Sequence, residues 1–215
     1  MSLLGFLRRE MTEIIDWVDE PGVLATRYVS PRRHLMAGST LIVRDGQAAI
    51  LYEDGRLLET FPPGRHRLET SNVPFITTLM EWPRSTRSPF RSEVFFVVTR
   101  DRRSLTWGTA QPIMVQDEAG QNKNIRAFGR YGFRIADPAT LLRACGTPPR
   151  LTLDIVESKL RVALALAAAS VLGASTYSAT GSKDVRHVMQ AAVQPSFDEL
   201  GLICTDVTIE NIDRR

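Results

Sequence analysis

The hydrophobic pattern of this chain changes its period once, and that change limits the folds the chain can adopt. From Val23 to about Arg134, short runs of β-forming residues alternate with polar ones and are separated by turn signals, as in half-exposed antiparallel strands. After Asp137-Pro138 the apolar residues recur at helical spacing. We therefore expect an α+β fold with a sheet-rich half over residues 23–136 and a helical half with a final strand over residues 137–215.

Individual elements follow from the same pattern. A short helix is expected at 138–145, a long alanine-rich helix at 151–174, and a third helix that begins after a cap at Ser182 and is kinked or broken at Pro195, before a last strand ICTDVTIENI. The long helix is apolar on too many sides to be a free surface helix. The predicted strands lie in LATRYV, STLIVRD, AAILYED, GRLLETF, GRHRLET, SEVFFVVT, SLTWG, IMVQD and AFGRYGFRI.

The N-terminal segment predicts an amphipathic helix over residues 2–19, which Pro21-Gly22 would end. Residues 1–22 therefore form a segment of their own. Such a helix could lie in a membrane interface or pack on its own domain or a neighbour, and the pattern does not choose between them. Its candidate membrane- or partner-binding residues are Leu3, Leu4, Phe6, Leu7, Met11, Ile14, Ile15 and Trp17.

The charge balance argues against nucleic acid as a partner. Twenty-seven basic residues face 24 acidic ones, which leaves a net charge of +3, too small for an electrostatic footprint on a polyanion. All but three of the basic residues are arginines, whose planar guanidinium groups suit carboxylates and phosphates. One arginine cluster is a candidate for contacts between subunits, with lipid head groups or an acidic partner as the alternative: Arg84, Arg87, Arg91, Arg100, Arg102 and Arg103.

Signatures of catalysis or of cofactor binding are missing from the sequence. There is no glycine-rich phosphate loop, no nucleophile elbow and no paired metal ligands. We expect no catalytic residues, no metal and no cofactor, although a hydrolase whose site assembles only in space stays open as a remote alternative. The residues that such a site would draw on stand alone in the sequence: His34, His66, His187, Cys145 and Cys204.

The chain is expected to stay in the cytoplasm. Its most apolar stretch, 162–174, is about 13 residues, short of the roughly 20 that span a bilayer. At the N-terminus the arginines follow the apolar residues, the reverse of a secretory signal peptide.

Several segments resemble the SPFH or Band 7 superfamily (stomatin, prohibitin, flotillin and HflK/C), in particular its bacterial virion-core-protein-like branch. They are FPPGRHRLETSNVPFITTL, SPFRSEVFFV, LTWGTAQPIMVQD, IRAFGRYGFRIADP and the closing FDELGLICTDVTIENI. The most specific are Ser88-Pro89-Phe90, Trp107-Gly108-Thr109 and Arg126-Ala127-Phe128-Gly129. The resemblance implies an SPFH domain over residues 23–215 with a strongly bent, mostly antiparallel sheet and no catalytic residues.

The resemblance also implies a function. It predicts a non-enzymatic scaffold that homo-oligomerises and associates peripherally with the inner face of the cell membrane, where anionic lipid is a candidate partner. There the scaffold would organise membrane patches or recruit or restrain an unidentified membrane-associated protein. A soluble oligomeric cage or recruitment module without lipid contact is the alternative. Many relatives continue with a helical segment and a zinc ribbon, so this chain is either a short form or a piece of a longer protein.

Overall fold

The α+β architecture predicted from the sequence is confirmed. The computed structural model describes residues 13–30, 35, 38–53, 55–68, 92–116, 120–174 and 183–214. Each of the predicted strand runs contains a strand. The strands are β1 (Ile14–Ile15), β2 (Val23–Tyr28), β3 (Thr40–Val43), β4 (Gln47–Glu53), β5 (Arg56–Phe61), β6 (Gly64–Arg67), β7 (Ser92–Val98), β8 (Arg102–Gly108), β9 (Ile113–Gln116), β10 (Asn122–Ile135), β11 (Arg150–Thr152) and β12 (Leu202–Arg214). The helices are α1 (Pro138–Cys145), α2 (Leu153–Ala174) and α3 (Lys183–Asp198).

The chain forms two compact units, and the division at residue 136 stays a prediction. The first comprises residues 1–98 and 147–152, and the second comprises residues 99–146 and 153–215. The first unit holds an antiparallel sheet of order β11-β2-β7-β4-β5 and a smaller sheet of order β1-β3-β6. The second holds an antiparallel sheet of order β12-β10-β8, with β9 also paired to β10.

The core of the first unit is built around β7. Its residues Val94 to Val98 are all buried, because a central strand covered on both faces needs an unbroken apolar run. On one side of the sheet, Phe96 packs in a cluster with Ile15, Leu41 and Phe61. Strand β7 is thus the central packing element of this unit.

The predicted N-terminal helix is wrong over residues 13–19. Ile14 and Ile15 form strand β1, which pairs in parallel with Thr40 and Leu41 of β3, and residues 16–20 are neither helix nor strand. Residues 1–12 lie outside the described residues. The physical reason is tertiary, because Ile15 is fully buried in the core and its β-branched side chain suits a strand.

Buried polar groups fasten this N-terminal segment to its unit. The Glu13 carboxylate accepts hydrogen bonds from the Tyr28 hydroxyl at 3.1 Å and from Ser30 Oγ at 2.8 Å. The fully buried Gln47 side chain donates to the Trp17 carbonyl at 3.2 Å and to the Asp19 carboxylate. The segment is therefore held in an extended form by the side chains of three residues from elsewhere in the unit, Tyr28, Ser30 and Gln47.

In the second unit, helices pack on one face of the sheet. Helix α2 buries Val156, Leu160, Ala167 and Val171. It begins two residues later than predicted, because residues 150–152 form strand β11 in the first unit. Helix α3 runs through Pro195 to Asp198, so no break occurs at the proline.

Candidate functional site

The predicted N-terminal binding residues do not form one surface in the described part of the chain. Ile14 is 58% exposed, whereas Ile15 is completely buried. Trp17 is half-buried, and its ring lies 6.3 Å from that of Phe96. Ile15 and Trp17 therefore pack against their own unit. Five of the predicted residues lie outside the described residues: Leu3, Leu4, Phe6, Leu7 and Met11.

The predicted arginine cluster is described only in part. Arg84, Arg87 and Arg91 lie outside the described residues. Arg103 on β8 forms an ion pair with Asp101 at 2.9 Å within the same chain, and the Nε atom of Arg102 is buried without a hydrogen-bond partner. The exposed Arg100 also has an interaction within the chain. A role of these arginines between subunits stays a prediction.

Two of the sequence motifs face each other on the neighbouring strands β8 and β10. The Thr109 amide donates to the Ala127 carbonyl at 2.9 Å, and the Ala127 amide donates to Thr109 Oγ1 at 3.2 Å. Trp107 lies opposite Gly129, and its indole Nε1 donates to the Thr208 carbonyl at 3.1 Å. The side chains and amides of these motifs therefore position the strands of the sheet.

Glycine is required at two places in this arrangement. A Cβ on Gly129 would lie 1.9 Å from the Thr208 carbonyl oxygen, and one on Gly132 would lie 2.8 Å from that of Arg102. Opposite Gly132 the pairing of β8 shifts, and Ser104 there adopts a φ of 61°, a conformation that is uncommon outside glycine. The strands approach each other closely at both glycines.

One face of this sheet is exposed and rich in arginine. Arg126, Arg130 and Arg134 lie on the exposed side of β10. Phe128, between the first two arginines, is 43% exposed. Sequence reasoning missed this row, although the spacing of four residues within an alternating strand is a readable signal.

A groove of about 460 Å³ lies on the same face. It is lined by Arg103 and Ser104 of β8, Arg130 of β10, and Thr208 and Glu210 of β12. The Arg130 guanidinium forms an ion pair with the Glu210 carboxylate at 3.0 Å. The groove thus offers guanidinium, hydroxyl and carboxylate groups together.

The opposite end of β12 is covered by amide side chains, which sequence reasoning also missed. The Cys204 amide donates to Gln194 Oε1 at 3.1 Å, and the Gln194 side chain donates to the Leu202 carbonyl at 3.2 Å. Gln190, one turn earlier on α3, donates to the Cys204 carbonyl at 2.7 Å. These bonds satisfy the backbone where β12 would otherwise present an open strand edge.

The described cysteines and histidines differ in burial and in contacts. Burial raises the pKa of the Cys204 thiol to about 11 and also raises the pKa of Cys145, which keeps both thiols neutral at pH 7. The ring of His66 donates from Nε2 to the Pro62 carbonyl at 2.7 Å, whereas His187 is exposed on α3 and His34 lies outside the described residues.

The described residues hold neither a metal-binding cluster nor a helix that could span a membrane. No group of three His, Cys, Asp or Glu side chains in the described ranges is arranged to hold a metal ion. Within the same part of the chain, no helix has the length and apolar character needed to cross a bilayer.

Comparison with known proteins agrees with the motifs. The profile of the SPFH domain-Band 7 family matches residues 25–214. The chain belongs to the SPFH domain-Band 7 family. It is 30% identical over 161 residues to the uncharacterised protein YdjI of Bacillus subtilis, an alignment that covers 73% of this chain and 49% of YdjI. This SPFH chain therefore spans about half the length of the curated relative that it matches.

Family membership supports a scaffold-like role, since SPFH proteins are generally non-enzymatic scaffolds. The family match includes both the motifs that face each other on β8 and β10 and the closing strand β12. The assignment to the virion-core-protein-like branch stays a prediction.

Proposed function

We propose that this SPFH chain is a non-enzymatic scaffold that assembles with copies of itself and associates peripherally with the cytoplasmic face of the cell membrane. There it organises membrane patches or recruits or restrains a membrane-associated protein. The family match supports the scaffold role, and the surface of α2 supports self-assembly.

Helix α2 is the observation that carries the proposal. One side of it is buried through residues such as Leu160 and Leu164, yet Val162 is 63% exposed and Leu166 is 66% exposed on another side. Ile155, two turns before Val162, is 37% exposed. Apolar side chains that follow one another along an exposed helix face favour burial against another chain.

A soluble assembly without lipid contact is the second candidate. It is favoured by the burial of Ile15 and the packing of Trp17 on Phe96, because these side chains are then unavailable to a bilayer. In this candidate, the N-terminal segment stabilises the folded unit or an assembly and does not act as a lipid anchor.

Light scattering after size exclusion tests the assembly. The full chain should form particles much larger than one subunit, and the double variant Val162→Glu with Leu166→Glu should reduce their mass. The matched control places two glutamates on the exposed face of α3, Ala191→Glu with Ala192→Glu, and should leave the mass unchanged. A wild-type monomer would contradict self-assembly, and equal masses for all three proteins would contradict the role of α2.

Flotation with liposomes separates the two candidates. The double variant Leu7→Asp with Ile14→Asp should release the chain from the vesicles if the N-terminal segment meets lipid. If the same variant instead breaks the assembly in solution, the soluble candidate is favoured. Many weak membrane contacts on one particle act together through effective concentration, so particle size should be measured on the same samples.

A further inference from the structure

The exposed face of the sheet in the second unit presents a regular row of side chains. Side chains of successive strand residues point to opposite faces, and in β10 Ile125, Ala127, Tyr131, Phe133 and Ile135 are buried. The intervening residues form a row on the opposite side, which we call the arginine face. All of them are exposed except the buried Gly132: Asn124, Arg126, Phe128, Arg130, Gly132 and Arg134.

Exposed apolar side chains accompany the arginines. Met114 of β9 lies opposite Asn124 and is 68% exposed, and Ile203 of β12 lies opposite Arg134 and is 37% exposed. Phe128 lies between them along the row. The face therefore combines positive charge with apolar side chains.

The charge on the arginine face is only partly balanced. Arg130 is paired with Glu210 at 3.0 Å, but Arg126 and Arg134 form no ion pair with any described acidic side chain. Successive arginines are four strand residues apart, which corresponds to about 13 Å. The Cα atoms of Arg126 and Arg134 are thus about 26 Å apart. Both side chains are exposed, and Arg126 lies opposite Asp213 of β12.

We propose that the arginine face docks on a bilayer of anionic phospholipid. This inference rests on the peripheral membrane association proposed above and assigns it a surface that differs from the N-terminal segment. Guanidinium groups bind phosphate oxygens in pairs of hydrogen bonds. Phe128 and Met114 enter the boundary between head groups and acyl chains, as the apolar residues of interfacial binders do.

The composition of the face favours lipid over a nucleic acid. Single-strand binders stack successive bases on several aromatic side chains, and Phe128 is the one aromatic side chain of the described row. Exposed apolar residues at both ends of the row, Met114 and Ile203, are instead suited to an interface that is polar on one side and apolar on the other.

Flotation of the full chain with vesicles tests the proposal. Vesicles with phosphatidylglycerol are compared with vesicles of phosphatidylcholine alone, at low and high salt. The double variant Arg126→Gln with Arg134→Gln is expected to lower the partition constant for anionic vesicles about 30-fold at low salt. The matched control, Arg143→Gln with Arg161→Gln, removes two exposed arginines from the helices and should leave this partition constant unchanged. Phe128→Ser should lower the partition constant about tenfold at either salt concentration.

Each outcome bears on one of the two proposals. If the wild-type chain floats and the two double arginine variants have equal partition constants, the arginine face is not the docking surface. Membrane association then stands. Equal flotation on both kinds of vesicle contradicts the role of charge. If the wild-type chain does not float, membrane association fails as well, while the particle mass still tests the scaffold. Binding to polyglutamate that depends on Arg126 and Arg134, without flotation, would assign the face to an acidic polypeptide and overturn docking on lipid.

Discussion

The indole of Trp107 donates a hydrogen bond to the Thr208 carbonyl at 3.1 Å, although the two residues lie on strands that do not pair with each other. Strands β8 and β12 both pair with β10, which lies between them. Gly129 of β10 is the residue over which the bond passes, since it is opposite Trp107 on one side and Ile209 on the other. Three strands are thus joined at a position where β10 carries no side chain.

Replacing Gly129 by alanine should therefore destabilise the chain. The new Cβ would lie 1.9 Å from the Thr208 oxygen, so backbone must move and the Trp107 hydrogen bond must lengthen, at a cost of about 3 kcal/mol. Urea unfolding measures the change. Gly108→Ala is the matched control on the neighbouring strand, because its Cβ would meet only ordinary contacts at 3.5 Å. Equal midpoints for the two variants would refute the explanation.

Gln194→Met tests whether the amide side chains of α3 protect the strand edge at the start of β12. The methionine side chain is of similar length, but it leaves the Cys204 amide and the Leu202 carbonyl without the partners they have on Gln194. We expect a loss of about 2 kcal/mol in the free energy of unfolding and faster aggregation, because a strand edge is exposed. Both are measured by urea unfolding and by light scattering over time. Ala192→Met, on an exposed position of the same helix, should have neither effect.

The Asp137 carboxylate should make the free energy of unfolding depend on pH in the acid range. Its carboxylate accepts from the Thr140 hydroxyl at 2.6 Å and from the amides of Ala139 and Thr140 at the start of α1. Hydrogen bonds from Thr140, first the hydroxyl and then the amide, lower the pKa of Asp137 below its usual 3.8. The folded state thus binds fewer protons than the unfolded state, and the stability from this group is present above about pH 3.8 and is lost as the pH falls through the lowered pKa.

Asp137 variants separate capping from titration. Asp137→Ala should cost about 1 kcal/mol at pH 7. Asp137→Asn keeps an acceptor oxygen for the helix amides but cannot titrate, so its stability should fall less steeply with acid than that of the wild type. Thermal melting between pH 7 and pH 3 measures both. Identical acid dependence for wild type and the asparagine variant would contradict the assignment.

A pair of neighbouring isoleucines distinguishes the strand from the predicted helix. Ile15→Asp places a carboxylate in a fully buried site and should cost more than about 4 kcal/mol, enough to unfold the first unit. Ile14→Asp, at a position 58% exposed, should change stability by less than about 0.5 kcal/mol. Circular dichroism and urea unfolding measure the difference. If both variants fold equally well, residues 14 and 15 are not placed as β1 requires.

The sequence was most reliable where one period dominated a long segment. The alternation between Ala127 and Ile135 and the helical spacing after Asp137-Pro138 predicted strands and helices that the structure has. The motifs at Trp107-Gly108-Thr109 and Arg126-Ala127-Phe128-Gly129 identified the family. In each case the information is local, because burial on one face repeats with the period of the element itself.

Two short segments were misassigned because contacts with distant residues, and not their local pattern, decide their structure. Ile14 and Ile15 fit a helical spacing with their neighbours, and Leu151 fits the start of α2, yet both segments are strands. Ile15 pairs with Leu41, and Leu151 pairs with Ala25 from a distant part of the chain. Both side chains are fully buried, so tertiary burial outweighs the weak local preference of a few residues.

The sequence by itself determined the fold class, most of the element order and the family of this protein, since periodicity and motifs are properties of neighbouring residues. Only the tertiary structure decided what the candidate surface is. It buried Ile15, placed Trp107 over Gly129, and set Arg126, Arg130 and Arg134 on an open face of the sheet. Which side chains a face exposes depends on what packs against the other side of the sheet, and that is settled by contacts between residues far apart in the chain.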